Sequence, residues 1–493
     1  MPTTADSGSP IALDTRFFGH PRGLATLFFT EMWERFSYYG MRALLILFMT
    51  ASPANGGLGF DIAKAGIIYG LYTASVYLLS LPGGWFADRV VGARRAVLYG
   101  GILIICGQFC LAATGLAPFY TGLLLIVLGT GLLKPNASTI VGFIYPPGDN
   151  RRDAGFSIFY MGINLGAFLS PLICGWVGQK VNWHLGFALA GFGMMIGVIQ
   201  YMAGAKNLGE AGLRPASRFE FTRGTTLGIA AVLGAIVVVV ALAASGTLSL
   251  TAQDIGDAFG LGLLILSIAV FAWLLLGRGW SPVERKRSLA VFVFFAAAAL
   301  FWSAFEQAGS SLNLFAQNST RNEVFGWAFP ASWLQSLNAL FIISLAPVFA
   351  WIWLALGKRD PSSPTKFALG LVFVGLGFAL LIPAATIAAA GGKVSPVWLT
   401  MTYVCHTIGE LCLSPVGLSA MTKLAPPRVT GLMMGVWFLA LSVGNYLGGR
   451  LASLYASLSV PSLFGIVAGF SIAAAVVMAI LVRPTVRLMS GVK

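Results

Sequence analysis

Charge is what this sequence has least of. Aspartate, glutamate, lysine and arginine make up 10% of its 493 residues, against roughly 25% in a soluble domain. That leaves too little polar surface for a soluble globule. Acids are scarcer than bases, 17 against 31. Cysteine is rare too: Cys106, Cys110, Cys174, Cys405 and Cys412 all fall in apolar stretches, and their number is odd. A disulfide framework is not expected on that pattern, and the five are expected to pack as small hydrophobes. Basic residues are not interleaved with aromatic ones, so nucleic acid is not an expected partner. No glycine loop ends in Gly-Lys-Ser/Thr, so nothing supports ATP-driven work. No nucleophile, metal or nucleotide constellation marks an enzyme, and no cofactor is expected. The stretch up to Arg22 has no apolar core, so the first membrane helix, not a cleavable leader, is expected to direct insertion.

What the chain does have is long apolar runs of about 20 residues, the length of a membrane-spanning helix. Barrel strands would instead alternate over about 10 residues. The expected fold class is therefore an all-α, multi-pass membrane protein of about 14 helices. Six spans fall between Leu24 and Gly204, and six between Leu289 and Val482, the first of these running Leu289–Ala316. Two more, Thr225–Ala244 and Ile255–Leu276, sit between the halves and carry no charge except Asp257 near a helix start. These two are expected to be peripheral. The expected organisation is a six-helix bundle over 1–204, a linker with two extra helices over 205–288 and a second six-helix bundle over 289–493. Two such halves are the architecture of transporters with a site at the midplane between them.

Loop charge sets an expected orientation. Arg89, Arg94 and Arg95, then Arg151 and Arg152, the stretch from Lys206 to Arg223, the run at Arg285, then Lys358, Arg359 and Lys366, then Lys423 and Arg428, and finally Arg483, Arg487 and Lys493 fall in alternate connections. The intervening loops hold only Lys64, Lys180, Arg321 and Lys393. The excess of bases on one side puts both termini in the cytoplasm.

Seven charged residues nonetheless lie inside apolar segments: Glu31, Glu34, Glu306, Glu410, Arg35, Arg42 and Lys134. Each would cost about 2.5–3.5 kcal/mol facing lipid at a helix centre, so they are expected to converge on an internal cavity. Glu31, Glu34, Arg35, Tyr38 and Arg42 share one face of the first helix, with Glu31 one turn from Arg35. Four acids against three bases leave one carboxylate without a counter-charge, a group that binding a proton would relieve. Cations alone would want acids, and anions alone would want bases. A cavity of both signs fits a zwitterion such as a short peptide, with Asn164 and Asn338 available for its backbone. Static ion pairs between helices are the alternative reading. His406, one turn before Glu410, is open to two readings, a proton relay or a packed histidine, the second preferred.

Gly83-Gly84-Trp85-Phe86-Ala87-Asp88-Arg89-Val90-Val91-Gly92-Ala93-Arg94-Arg95 resembles the cytoplasmic loop motif of the major facilitator superfamily. Glu31-x-x-Glu34-Arg35-Phe36-x-Tyr38-Tyr39 resembles the first-helix signature of its proton-dependent oligopeptide transporter family. Gly131 to Asn136, Phe156 to Gly166, Phe301 to Gln307 and Gly409 to Gly417 resemble four further motifs of that family, in order. The resemblance implies a major facilitator fold and proton-coupled import of di- and tripeptides by alternating access. It implies that Arg35 and Lys134 hold the peptide carboxylate, and that Glu410, Asn164 and Asn338 hold its amino group. Tyr38, Tyr39, Tyr77, Trp302, Trp437 and Phe438 would line side-chain pockets, with Ser414 in the same substrate-binding set. Glu31, Glu34, Arg35 and Glu306 would form the proton-linked group. Arg42 with Glu306 would close the outer side, and Lys134 with Glu410 the inner side.

The sequence departs from the family pattern in places. Phe305 stands where some relatives carry a second acid, Ala339 where proline is common, and the loop from Ala390 to Pro396 is short. With the two extra helices, the short loop implies a prokaryotic-type member in a cell (inner) membrane. The implied partners are di- and tripeptides, protons and lipid, with the protein acting as a monomer. Other readings of the same architecture are an importer of a solute such as nitrate, a drug/proton exporter, or a membrane sensor that binds peptide without moving it.

Overall fold

A chain in hydrocarbon must satisfy its backbone N–H and C=O groups internally, and a helix does so within one segment. The computed structural model describes residues 14–146, 148–215, 224, 250–426 and 429–492. It is helical almost throughout: α1 Arg22–Thr50, α2 Ile62–Phe86, α3 Ala93–Ala112, α4 Leu116–Phe143, α5 Arg151–Lys180, α6 Trp183–Gly204, α7 Ala252–Leu276, α8 Pro282–Phe305, α9 Ser311–Ser319, α10 Ser336–Leu356, α11 Ser363–Ala389, α12 Val397–Leu424, α13 Thr430–Ser453 and α14 Val460–Leu488. Among the described residues, a two-residue ladder pairs Glu323–Val324 with Trp327–Ala328 in the α9–α10 connection.

Local chemistry sets several starts. Thr251 and Asp254 form a capping box at α7. Ser281 and Glu284 form another at α8, with Pro282 in the first turn. Each satisfies N–H groups that a helix start leaves orphaned.

Twelve of the described helical stretches are long and apolar enough to cross a membrane, α8 and α9 counting as one. α1, which carries more charge, is long enough for a further crossing: its 29 residues reach about 44 Å at 1.5 Å per residue. The span expected over Thr225–Ala244 lies outside the described residues.

The span expected as one helix over Leu289–Ala316 is two. α8 ends at Phe305, a 3₁₀ turn runs Glu306–Gly309, and α9 follows. The break coincides with close packing. A Cβ on Gly309 would sit 1.9 Å from the Tyr69 hydroxyl and 2.8 Å from Arg42 Nε, so α1 and α2 press directly on this backbone.

Helices α1 to α6 pack largely on one another, and α8 with α11 to α14 likewise. The two groups meet where α2 crosses α13, and α10, which packs on α12, meets α5. Close contacts between the groups gather at the end of the molecule where α1 finishes. There Asn313 Nδ2 donates to Ala43 O at 2.9 Å, and Ser332 N donates to Gln179 Oε1 at 3.0 Å. At the α2–α13 crossing a Cβ on Gly449 would lie 2.3 Å from Gly70 Cα. Small residues allow such approach where lipid gives no hydrophobic drive for association. Gly449→Val is expected to overpack this seam by about 1–3 kcal/mol and to lower the melting temperature in detergent. An unchanged melting temperature would mean that the crossing can widen at no cost.

α7, expected to be peripheral, has both an outward apolar face and a contact with the seam. Its lipid-side residues Leu261, Leu264, Ile265 and Ile268 are exposed. Asp257, however, pairs with Arg450 of α13 at 2.6 Å. Gly256 lies against Ile67 of α2, so the start of α7 touches both sides of the seam.

Candidate functional site

The charged face of α1 meets α2, α4, α5, α8, α10 and α12 around one cavity of about 250 Å³. Glu31, Arg35, Tyr39, Arg42, Tyr77, Lys134, Asn164, Trp302, Glu306, Asn338, Glu410 and Ser414 all line it. Residues from both ends of the sequence therefore form one polar wall, as their cost in lipid requires.

Arg35 anchors one side. Its Nε lies 3.2 Å from Glu31 Oε1 and also bonds to Glu34 Oε2. Its guanidinium carbon stands 5.2 Å from the centre of the Tyr38 ring. One terminal nitrogen, Nη2, is buried and makes no hydrogen bond. A buried donor without a partner is costly, and this one belongs to a side chain lining a cavity. Lys134 stands nearby with its Nζ 4.1 Å from the Tyr77 ring centre. α4 continues past Lys134 through Pro135, and the Asn136 side chain donates to the carbonyl of Leu132 at 2.7 Å. Two cations thus face the cavity from the first group of helices.

Opposite them is the carboxylate of Glu410. Its Oε2 accepts from Asn338 Nδ2 at 3.1 Å, and the same amide donates to Thr407 Oγ1 at 3.1 Å. Asn164 donates instead to the Tyr160 carbonyl of its own helix at 3.0 Å. Towards the closely packed end, Arg42 Nη2 lies 2.6 Å from Glu306 Oε2, and Arg42 Nε donates to the Tyr69 hydroxyl at 2.7 Å. Arg42 and Glu306 are both buried, so this is a pair removed from solvent on both sides.

Some expected positions fall elsewhere. Lys134 and Glu410 do not pair: among the described residues neither has an opposite charge within 4.0 Å. The reason is geometric, since Glu410 is turned to Asn338, Lys134 sits over Tyr77, and the cavity lies between. Tyr38 is buried beneath the wall, stacked on Tyr72 at 6.4 Å. Glu34 is tucked behind Arg35 and does not line the cavity. Trp437 packs at Gly417, and Phe438 packs against the apolar core, so neither reaches the cavity in this conformation.

Sequence reasoning missed Tyr160, Gln335, Ile342 and Tyr403, which also line it. Two carried a usable signal: Tyr160 is one turn before Asn164, and Tyr403 is two turns before Glu410. His406 lies on the wall as a packed ring, with its centre 5.1 Å from that of Phe378.

A sequence profile of the POT family matches residues 94–467. The chain belongs to the POT family. It is 42% identical to the peptide transporter YePEPT of Yersinia enterocolitica, over 96% of this chain and 96% of that protein. It is 38% identical to the di-/tripeptide transporter of Lactococcus lactis subsp. cremoris, over 97% and 98%. The crystal structure of a peptide transporter POT in complex with sulfate superposes with a TM-score of 0.93, at 45% identity over 97% of this chain and 98% of that one. This POT-family chain has the major facilitator fold, with α7 between the two groups of helices.

Proposed function

We propose that this POT-family protein is a proton-coupled symporter that imports di- and tripeptides by alternating access. The observation that carries the reading is the bipolar cavity. The free donor of Arg35 and the ammonium of Lys134 stand on one wall, and the Glu410–Asn338 pair on the other. A peptide presents a carboxylate and an ammonium separated by about 7–10 Å, at 3.3–3.6 Å per residue. Cations on one bundle and an acid on the other hold such a molecule across the gap between the bundles. The names of the Yersinia and Lactococcus relatives agree with that substrate class.

In this reading the bundles are residues 1–204 and 289–493, with 205–288 as the linker. The protein spans the inner membrane as a monomer, with both termini in the cytoplasm. The end sealed by Arg42–Glu306 and the Gly70–Gly449 crossing is then the outer end. The open inner pair, Lys134 and Glu410, marks an inward-facing state. Arg35 and Lys134 take the substrate carboxylate, while Glu410, Asn338 and Asn164 take its amino group. Tyr39, Tyr77, Trp302 and Ser414 supply the remaining wall. Tyr38, Trp437 and Phe438 come into contact only if the bundles rotate. Glu31, Glu34, Arg35 and Glu306 carry the proton linkage. Protonating Glu31 or Glu34 frees further Arg35 donors for the peptide.

In proteoliposomes, uptake of a labelled dipeptide is expected to require an inward proton gradient. It is expected to be competed by dipeptides and not by nitrate or lipophilic cations. Uptake unaffected by a protonophore would remove the coupling, and competition by nitrate alone would remove the peptide.

A further inference from the structure

The closely packed end of the molecule holds a second set of contacts between the two groups of helices, and none of its members carries a charge. A 3₁₀ turn, Ala331–Gln335, leads into α10. From this short stretch three donors reach α5. Ser336 Oγ donates to the Phe168 carbonyl at 2.8 Å, Trp333 Nε1 to the Leu172 carbonyl at 3.0 Å, and Ser332 N to Gln179 Oε1 at 3.0 Å. Gln179 Nε2 continues to Gln317 Oε1 of α9 at 2.8 Å. Among these bonds Gly175 meets Ser332 directly: a Cβ there would lie 2.2 Å from Ser332 Oγ. Phe168, Leu172, Gly175 and Gln179 follow the i, i+4, i+7, i+11 spacing of one helix face. The ladder therefore runs about 17 Å along α5, at 1.5 Å per residue. The Trp333 ring is itself stacked on Phe329 at 6.4 Å. Ser332 and Ser336 are buried, so little water competes for these bonds while the seam is shut.

We infer that Trp333 is a positioning residue of the outer gate: with Ser332 and Ser336 it latches the start of α10 to α5, an uncharged second lock beside Arg42–Glu306 that favours the inward-facing state. This rests on the reading above that the closely packed end faces outward. The bonds exist only while the two groups of helices touch here, so they stabilise that state alone. A carbonyl has two lone pairs, so Phe168 and Leu172 take these donors without giving up helix bonds. Parting the ladder strands no ion and breaks no helix, and water replaces each lost partner. Arg42–Glu306 differs, because parting it leaves two uncompensated charges. The latched stretch also carries Gln335 and Asn338 of the cavity wall, so the same ladder holds the amide that donates to Glu410.

The test reads how often the cavity opens outward. Leu441 lines the cavity from α13, away from the ladder, and Leu441→Cys serves there as a reporter. Right-side-out membrane vesicles are treated with a membrane-impermeant thiol reagent, and protein without Leu441→Cys gives the background from the five native cysteines. Trp333→Phe keeps an aromatic ring against Phe329 and deletes one donor. It is expected to accelerate labelling from outside about 2- to 10-fold, the range of one net hydrogen bond. The apparent KM for dipeptide uptake should fall in step, because the state that takes peptide from outside is more populated. Loss of packing alone would instead raise KM or lower the melting temperature without faster labelling. Gly175→Ala pushes the seam apart while sparing every donor, and should act in the same direction. Unchanged labelling in both variants overturns the inference, as does faster labelling with a raised KM. Faster labelling confined to inside-out vesicles would overturn it too, together with the reading of which end is outer. Absence of dipeptide uptake in the wild type would remove the peptide reading, while the labelling rates would still decide the latch.

Discussion

Glu306→Gln is expected to abolish proton-driven accumulation of peptide while leaving counterflow exchange intact. Glu306 sits in the 3₁₀ turn between α8 and α9, where the backbone is already unwound. Its carboxylate is 2.6 Å from Arg42 Nη2, and its carbonyl accepts from the same nitrogen at 3.4 Å. The pair joins α1 of one bundle to the broken helix of the other, at the end the proposal places outside. Breaking a buried pair by removing one charge typically costs about 3–5 kcal/mol, because the other is left uncompensated. In the proposed cycle, a proton on Glu306 would remove that charge reversibly and so release the seal.

Glutamine copies the protonated side chain in shape and polarity but cannot return to the charged form. The seal would then open without a proton, and peptide could exchange across the membrane with nothing driving it one way. One charge moving through 100 mV supplies about 2.3 kcal/mol, which sustains about 40-fold accumulation at 1.4 kcal/mol per decade. The variant should plateau near equal concentrations on both sides. Counterflow should persist at a rate near that of the wild type. If the variant instead failed to bind peptide, Glu306 would be a substrate ligand and the gate assignment would fall.

Lys134→Ala is expected to weaken dipeptide binding by about 10- to 150-fold, from the 1.5–3 kcal/mol of a hydrogen bond to a charged group. Lys134 faces the cavity with its ammonium over the Tyr77 ring and, among the described residues, no carboxylate within 4.0 Å. The ring face stabilises the cation only modestly, by about 0.5–2 kcal/mol. The ammonium is therefore free to take a carboxylate that arrives. Blocking that carboxylate separates ligand loss from collapse of the fold. The wild type should discriminate strongly against a C-terminally amidated dipeptide, and Lys134→Ala should discriminate much less. Wild-type uptake by the variant would refute both the ligand and the inner-gate roles. Retained binding with arrested transport would leave the gate role alone standing.

The charges that make up the site were readable in advance because their cost is local. An acid or base in a 20-residue apolar run is improbable in lipid whatever the fold, so seven such residues had to meet. The spacing of Glu31, Arg35 and Arg42 along one helix face needed only the 3.6-residue period. The absence of a Gly-Lys-Ser/Thr loop likewise leaves ATP-driven transport without support in the sequence. What stayed hidden was the identity of partners on different helices. Glu410 turned to Asn338 and not to Lys134, which depends on the separation of two bundles in one conformational state. Tyr38 carried the same helical phase as Arg35, yet the stack on Tyr72 holds it under the wall.

The sequence by itself determined that this is a helical membrane protein with a charged interior of both signs, and it placed the residues that build that interior. Those properties follow from transfer energies and helical periodicity, which act within a single segment. Only the tertiary structure decided where α8 breaks, which carboxylate each arginine holds and which end of the cavity is sealed. The free Arg35 donor belongs to the same class. Each depends on how closely helices distant in sequence cross, a quantity set by facing side chains and backbone such as Gly309 against Tyr69 and Gly70 against Gly449, and no single segment contains both sides of such a contact.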